Sequence, residues 1–110
     1  MTTIVIRKSS AGEYRNFVCQ GHAGYGFFFQ KDVVCASVSV LVINTVNAID
    51  SFTDAKFIQQ VDEERALIEF RLVKPTKETT LLLNTMILGL QSLEDNENYT
   101  DYIDLIFEEV

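Results

Sequence analysis

At 110 residues the chain has the length of one domain, and its 47% apolar content suffices for one hydrophobic core. Its 9 basic and 16 acidic side chains give a net charge of -7, which opposes binding to the phosphate backbone of nucleic acids. No secretory signal is visible, and the longest apolar run, residues 40–43, is too short to cross a membrane. These features predict a single cytoplasmic domain over residues 1–110, without direct nucleic-acid or membrane contacts.

The first 31 residues have the pattern of a β-hairpin followed by a loop. Residues 2–7 are rich in β-branched side chains, and a turn-forming cluster over residues 9–12 separates them from a second strand-like segment, residues 13–20. Residues 21–31 contain three closely spaced glycines, which allow backbone conformations closed to other residues. This last segment is predicted to be a loop.

A dense apolar segment follows, from residue 33 to about residue 50. Its length exceeds that of a typical strand, and its polar and apolar positions separate onto two faces at helical period. The polar face carries Ser37, Asn44, Asn47 and Ser51, and the apolar face carries Val34, Val38, Leu41, Thr45 and Ala48. The segment is predicted to form a largely buried helix with Asp32 as its N-cap.

The second half of the chain repeats the order of two strands and a helix. Residues 55–61 and 66–73 flank an acidic turn and predict a second hairpin. Thr76 can cap the next helix, whose apolar stripe consists of Leu82, Met86, Leu90 and Leu93. Residues 102–107 predict a last strand. The order ββαββαβ predicts an α+β fold of two layers, with two helices packed on one face of a mostly antiparallel sheet.

The only histidine and one of the two cysteines flank the predicted loop. With Asp32 as N-cap, Cys35 would lie in the first helical turn, where unpaired N–H groups and the helix dipole favour a thiolate and could hold an oxyanion. A loop of this length can bring His22 to Cys35, so that the imidazole accepts the thiol proton. Ser39 lies one turn beyond Cys35 on the same face. A Cys–His nucleophilic pair is therefore possible, with Asp32 as the candidate third member.

Structural roles for the same residues remain open at this point. A lone histidine in a loop is usually a surface residue, and Cys35 by itself is more often a buried small hydrophobe. Cys19 is predicted to lie in the core or on a sheet face, and the two cysteines lack C-x-x-C spacing. One histidine and two separated cysteines do not supply a convincing ligand set, so neither a metal nor a cofactor is predicted.

The segment GHAGYG followed by KDVVCASVS resembles the signature of the ribosomal-processing cysteine protease family, called Prp, in which Gly-His-Ala precedes Asp-(Ile or Val)-Val-Cys-Ala at a helix start. The similarity continues through residues 46–49 and the stretch LNTMILGLQSLE. The resemblance implies a cytoplasmic endopeptidase, usually a homodimer, that removes a short amino-terminal extension from ribosomal protein twenty-seven of the large subunit. One departure is the segment FFFQK, which replaces the shorter, glycine-containing loop of many family members.

Carried over residue by residue, the resemblance implies that Cys35 is the nucleophile and His22 the general base, with Gly21, Asp32 and Ser39 at supporting positions. The expected substrate contacts are the aromatic side chains of the loop, Tyr25, Phe27, Phe28 and Phe29. An acidic surface would suit a basic ribosomal protein as substrate. Two alternatives stay open: a non-enzymatic homodimeric module that binds a ribosomal protein through exposed phenylalanines, and a redox or acyl-thiol enzyme that uses Cys35 on a small molecule.

Overall fold

The computed structural model describes residues 1–21 and 29–110, with the side chains of residues 1–21 and 33–110.

The first structural unit is a β-hairpin. Strands β1, Thr2–Lys8, and β2, Tyr14–Gln20, pair antiparallel. In their turn the Gly12 N–H donates to the Ser9 carbonyl over 2.9 Å, and Gly12 has a φ of +85°, a conformation that a Cβ disfavours. The first predicted hairpin is confirmed.

Helix α1, Phe29–Phe52, carries a ridge of buried, mostly β-branched side chains. The ridge consists of Val34, Val38, Val42, Thr45, Val46 and Ile49. The predicted helix is confirmed, but its predicted start is wrong, because Asp32 lies within the first turn and not at the N-cap. After Gly26 neither Gly nor Pro interrupts the sequence, so helical hydrogen bonding extends back as far as Phe29.

Residues 33–52 of α1 are long and apolar enough to cross a membrane by length and composition. In this fold the buried ridge of α1 instead joins the core that covers the sheet. Leu41 and Ala48, predicted on the apolar face, lie half-buried beside the ridge, and Asn44 and Asn47 are exposed. Packing against the sheet therefore accounts for the apolar character of this helix.

The second hairpin consists of β3, Phe57–Asp62, and β4, Leu67–Leu72. Its turn contains Ala66 with a positive φ of 49°, and β4 pairs antiparallel with β2. Across that pair the rings of Phe17 and Phe70 stack with their centroids 5.0 Å apart. The second predicted hairpin is confirmed, with strand ends that differ by one or two residues from the predicted ones.

Helix α2, Lys77–Glu94, begins at the predicted cap. The Thr79 N–H donates to the Thr76 hydroxyl over 3.2 Å, and the Thr76 N–H donates to the Thr79 hydroxyl over 2.8 Å. These two reciprocal hydrogen bonds give acceptors to two N–H groups that would otherwise have none at the start of the helix. From the predicted stripe Met86 and Leu90 are buried, and Leu82 and Leu93 are half-buried.

A short 3-10 helix, Thr100–Tyr102, leads into β5, Ile103–Glu109, which pairs parallel with β1. The sheet order is β3-β4-β2-β1-β5, with every other pair antiparallel. The predicted two-layer α+β fold is therefore confirmed. Register places the start of β1, the end of β2 and the β3–β4 turn at one end of the sheet.

Candidate active site

A cavity of about 220 Å³ lies at this end of the sheet, between α1 and the β3–β4 hairpin. Helix α1 contributes Cys35 and Ser39, β2 contributes Cys19, and Gly21 follows β2 directly. The cavity thus brings together three of the predicted site residues: the candidate nucleophile, the hydroxyl one turn beyond it and the glycine before the histidine.

Cys35 is half-buried and is the seventh residue of α1. The helix dipole acts mainly within the first turn, and the N–H groups without intrahelical partners belong to residues 29–32. The prediction that Cys35 lies among these groups is therefore wrong, because the helix starts four residues earlier than predicted. The helix therefore sets the position of Cys35 on the cavity wall, outside the first turn.

Ser39 lies four residues after Cys35 and lines the same cavity. Residues at this spacing are neighbours on a helix surface, with Cβ atoms roughly 5–6 Å apart. The hydroxyl of Ser39 can therefore donate to or accept from a group bound beside Cys35. Its half-buried position limits competition from bulk water.

Gly21 fixes the point where the chain leaves the sheet. Its φ is +104°, and a Cβ there would overlap the carbonyl oxygen of Met1. Its N–H donates to the carbonyl of Ala66 over 3.2 Å, which joins the end of β2 to the β3–β4 turn. Only glycine combines this conformation with this close approach. The position of Gly21 at the end of β2 is therefore fixed by its own backbone.

Cys19 lies opposite α1, 8% exposed. Burial raises the pKa of its thiol to about 11, and the negative charge of the Cys35 thiolate adds to the rise. Cys19 is therefore a thiol at neutral pH. Of the two predicted positions, core or sheet face, the structure shows the core, and Cys19 lines the same cavity as Cys35.

The β3–β4 hairpin supplies the wall of the cavity facing α1. Val61 and Ala66 give this wall apolar surface, and Asp62 and Glu63 give it negative charge. Asp62 accepts a hydrogen bond from the Arg65 N–H over 3.2 Å, which holds the turn. A bound group would thus meet an apolar surface edged by carboxylates.

The hydroxyl of Thr2 is buried and has no hydrogen-bond partner in the described part of the chain. Thr2 also lines the cavity, although its position in the first strand gave no sign of this. The hairpin residues and Cys19 were missed for the same reason, because only strand pairing brings them to Cys35. The one sequence signal was the alternation of apolar and polar residues along each strand. This alternation shows which face of a strand is buried but not which residues that face contacts.

Several predicted site residues lie outside the described residues: His22, Tyr25, Phe27 and Phe28. Phe29 and Asp32 belong to α1, and their side chains lie outside the described part. Among the described side chains of residues 1–21 and 33–110, no group of three His, Cys, Asp or Glu is arranged to hold a metal ion.

Comparison with known proteins places the chain among proteases. The model of a family described as cysteine protease Prp matches residues 1–104. The ribosomal processing cysteine protease Prp of Staphylococcus aureus is 30% identical over 99 residues, which cover 89% of this chain and 92% of that protein.

Solved structures show the same fold. The S. aureus protease in complex with a substrate peptide has a TM-score of 0.90 and 28% identity, covering 98% of this chain and all of the other. The same enzyme with a covalently linked product peptide has a TM-score of 0.87 and 30% identity, at the same coverage. With its cysteine on the wall of a cavity and this match along nearly its whole length, the chain belongs to the Prp family of cysteine proteases.

Proposed function

We propose that this protease removes the amino-terminal extension of large-subunit ribosomal protein twenty-seven during ribosome assembly. The observation that carries the proposal is the half-buried thiol of Cys35 on the wall of a cavity in a chain of the Prp family. The S. aureus relative is named for ribosomal processing and was solved with a substrate peptide. These names support a peptide segment of a ribosomal protein as substrate.

In the proposed reaction His22 takes the proton of the Cys35 thiol, and the thiolate attacks the carbonyl carbon of the scissile peptide bond. His22 then gives that proton to the leaving amine, and an acyl-thioester forms on Cys35. Water, deprotonated by His22, releases the acyl group. The role of base is assigned to His22, since Cys35 lies beyond the first turn of α1.

The supporting residues position the two catalytic side chains and the bound substrate. Gly21 fixes the chain before His22, and Ser39 offers its hydroxyl beside Cys35. Asp32 is proposed to orient the imidazole. Substrate contacts are assigned to the aromatic side chains Tyr25, Phe27, Phe28 and Phe29, and the net charge of -7 attracts a basic ribosomal protein.

The protein is further proposed to be a cytoplasmic homodimer. On α1 Val40 is 67% exposed and Ile43 is also exposed, and on α2 Leu81 and Leu88 are exposed. We name these four residues the exposed apolar surface; Phe52, the last residue of α1, is exposed as well. Val40 also lines a groove of about 510 Å³ between α1 and α2. A second copy covering this surface would remove four large apolar side chains from water.

Cleavage of a synthetic peptide that carries the extension and its aromatic cleavage motif tests the proposal. Wild type should cleave it, whereas folded Cys35→Ala and His22→Ala should lose activity by about a thousandfold or more. Ser51→Ala replaces an exposed serine at the far end of α1. This variant serves as the control and should retain activity. Tight binding without cleavage by wild type would instead support the non-enzymatic module.

A further inference from the structure

Two thiols share the cavity beside α1, and the proposed reaction uses one of them. Cys35 and Cys19 both line the cavity, and both are free thiols. Hydrolysis through Cys35 and His22 needs no second sulfur. Alternation along β2 requires only a small apolar residue where Cys19 lies, so a thiol next to the nucleophile is an additional chemical feature of this chain.

The two sulfur atoms differ in their exposure to a dissolved oxidant. Cys35 is half-buried on the cavity wall, whereas Cys19 is buried and remains protonated at neutral pH. Peroxides react with thiolates and with accessible sulfur. Oxidation should therefore begin at Cys35, with Cys19 held nearby in its reduced form.

We propose that Cys19 is a resolving thiol, which forms a disulfide with Cys35 once a peroxide has oxidised Cys35. In the first step the Cys35 thiolate attacks one oxygen of hydrogen peroxide. The S–O bond forms, the O–O bond breaks, hydroxide leaves, and sulfur loses two electrons to the peroxide. The product is a sulfenic acid on Cys35.

In the second step the Cys19 sulfur attacks the sulfur of this sulfenic acid. The S–S bond forms, the S–O bond breaks, and the departing hydroxide takes the Cys19 proton to leave as water. The sum is two thiols and one peroxide giving one disulfide and two waters. A thiol reductant reverses the cross-link, whereas a sulfinic acid on Cys35 would be permanent.

The geometry favours a cross-link within one chain. A disulfide requires Cα atoms within about 7 Å, and both side chains already enter one cavity. Val34 and Val38 flank Cys35 on the helix and hold α1 in the core. Formation of the disulfide therefore requires α1 and β2 to shift until the two Cα atoms lie within this distance.

The consequence for peptide hydrolysis rests on the proposed function, whereas the cross-link can be measured without it. With Cys35 in a disulfide, no thiolate is available to attack a substrate. The disulfide would also prevent further oxidation of the sulfur. Peroxide should then cause a reversible loss of peptidase activity.

The test treats wild-type protein with an excess of hydrogen peroxide and follows its mass, because the disulfide consumes one equivalent of peroxide and a sulfinic acid consumes two. The intramolecular disulfide lowers the mass by about 2 Da, and a sulfinic acid raises it by about 32 Da. Trypsin separates the two cysteines, since Cys19 falls in peptide 16–31 and Cys35 in peptide 32–56. A linked pair of these peptides that a reductant separates is the expected result.

Two variants of the second thiol complete the experiment. Cys19→Ala removes the sulfur, and Cys19→Val also refills its volume, so a folding defect in one does not prevent the comparison. In both, Cys35 should proceed to the sulfinic acid. Wild type should regain most of its own starting activity in reductant, whereas each variant should regain less than about a tenth.

A wild-type protein that accumulates sulfinic acid as fast as Cys19→Val, with no linked peptide, would overturn the proposal. So would a disulfide found only between two chains. Absence of cleavage before oxidation would instead contradict the proposed function, while the mass of the linked peptides would still decide the cross-link.

Discussion

Gly21 and Cys19 show how single residues set the properties of the site. Gly21 holds a backbone conformation and a contact with Met1 that exclude any Cβ, so the end of β2 is fixed at this residue. Cys19 places a protonated thiol beside the nucleophile. Gly21 acts through its backbone conformation, whereas Cys19 acts through its thiol, which burial keeps protonated.

Substitution of Gly21 by alanine should lower the free energy of unfolding by about 3 kcal/mol, because strain at positive φ adds to overlap with the Met1 carbonyl. Gly12→Ala is the matched control. Its φ is also positive, but a Cβ there meets nothing within 4 Å, so the expected loss is about 1 kcal/mol. Urea denaturation measures both. Equal losses would show that the contact with Met1 has no energetic effect.

The pKa of Cys19 predicts how stability depends on pH. Its ordinary value is 9.0, and the folded value is raised to about 11. Below pH 9 the thiol is protonated in both states, and between pH 9 and 11 the unfolded chain loses the proton first. Stability should therefore fall across this range by up to about 2 kcal/mol.

Unfolding of wild type and Cys19→Val at pH 8 and pH 10.5, in the presence of a reductant, tests this dependence. Other groups titrate in the same range, so the informative quantity is the difference between the two proteins. Wild type should lose more stability than the variant. A parallel decline would mean that the Cys19 thiol titrates alike in both states.

At the scale of elements, α1 and the β3–β4 hairpin decide the shape of the site. The continuation of α1 back to Phe29 removes Cys35 from the first turn, so the helix contributes position and not charge. The hairpin lies across the cavity and supplies the facing wall. Helix α2 is held at its start by the side chains of Thr76 and Thr79.

The capping box of α2 gives a prediction for this element. Thr79→Val removes a buried hydroxyl that accepts from the Thr76 N–H and donates to the Thr76 carbonyl. The expected loss of stability is about 1–2 kcal/mol. Thr85→Val, an exposed threonine in the same helix, is the control and should change stability by less than about 0.5 kcal/mol. Similar losses in the two variants would contradict a specific role for the cap.

In the whole molecule, the two helices are covered by the sheet on one side. Part of the opposite side, which faces solvent, is apolar. Val40, Ile43, Leu81 and Leu88 form this exposed apolar surface. Scattered apolar side chains are normal on a protein surface, but a group of this kind on adjacent helices suits contact with another subunit. Val40 and Ile43 add to the buried ridge of α1, and together they make this helix apolar enough to resemble a membrane span.

Charge placed on this surface should dissociate the proposed homodimer. Val40→Asp and Leu88→Asp each introduce a carboxylate that loses its water in the interface, so we expect monomers in sedimentation velocity at micromolar concentration. Ile106→Asp, on β5 away from the two helices, is the matched control and should sediment as wild type does. Monomeric wild type would contradict the dimer itself.

The sequence by itself determined the order of elements, both hairpins, the cap at Thr76 and the family, because periodicity, turn residues and a local motif are properties of neighbouring positions. It did not determine where α1 begins, since several residues without Gly or Pro can join a helix at little cost. Only the tertiary structure decided that Cys19, Thr2 and the β3–β4 turn meet Cys35. Strand register joins residues far apart in the chain, and no spacing along the sequence encodes that register directly.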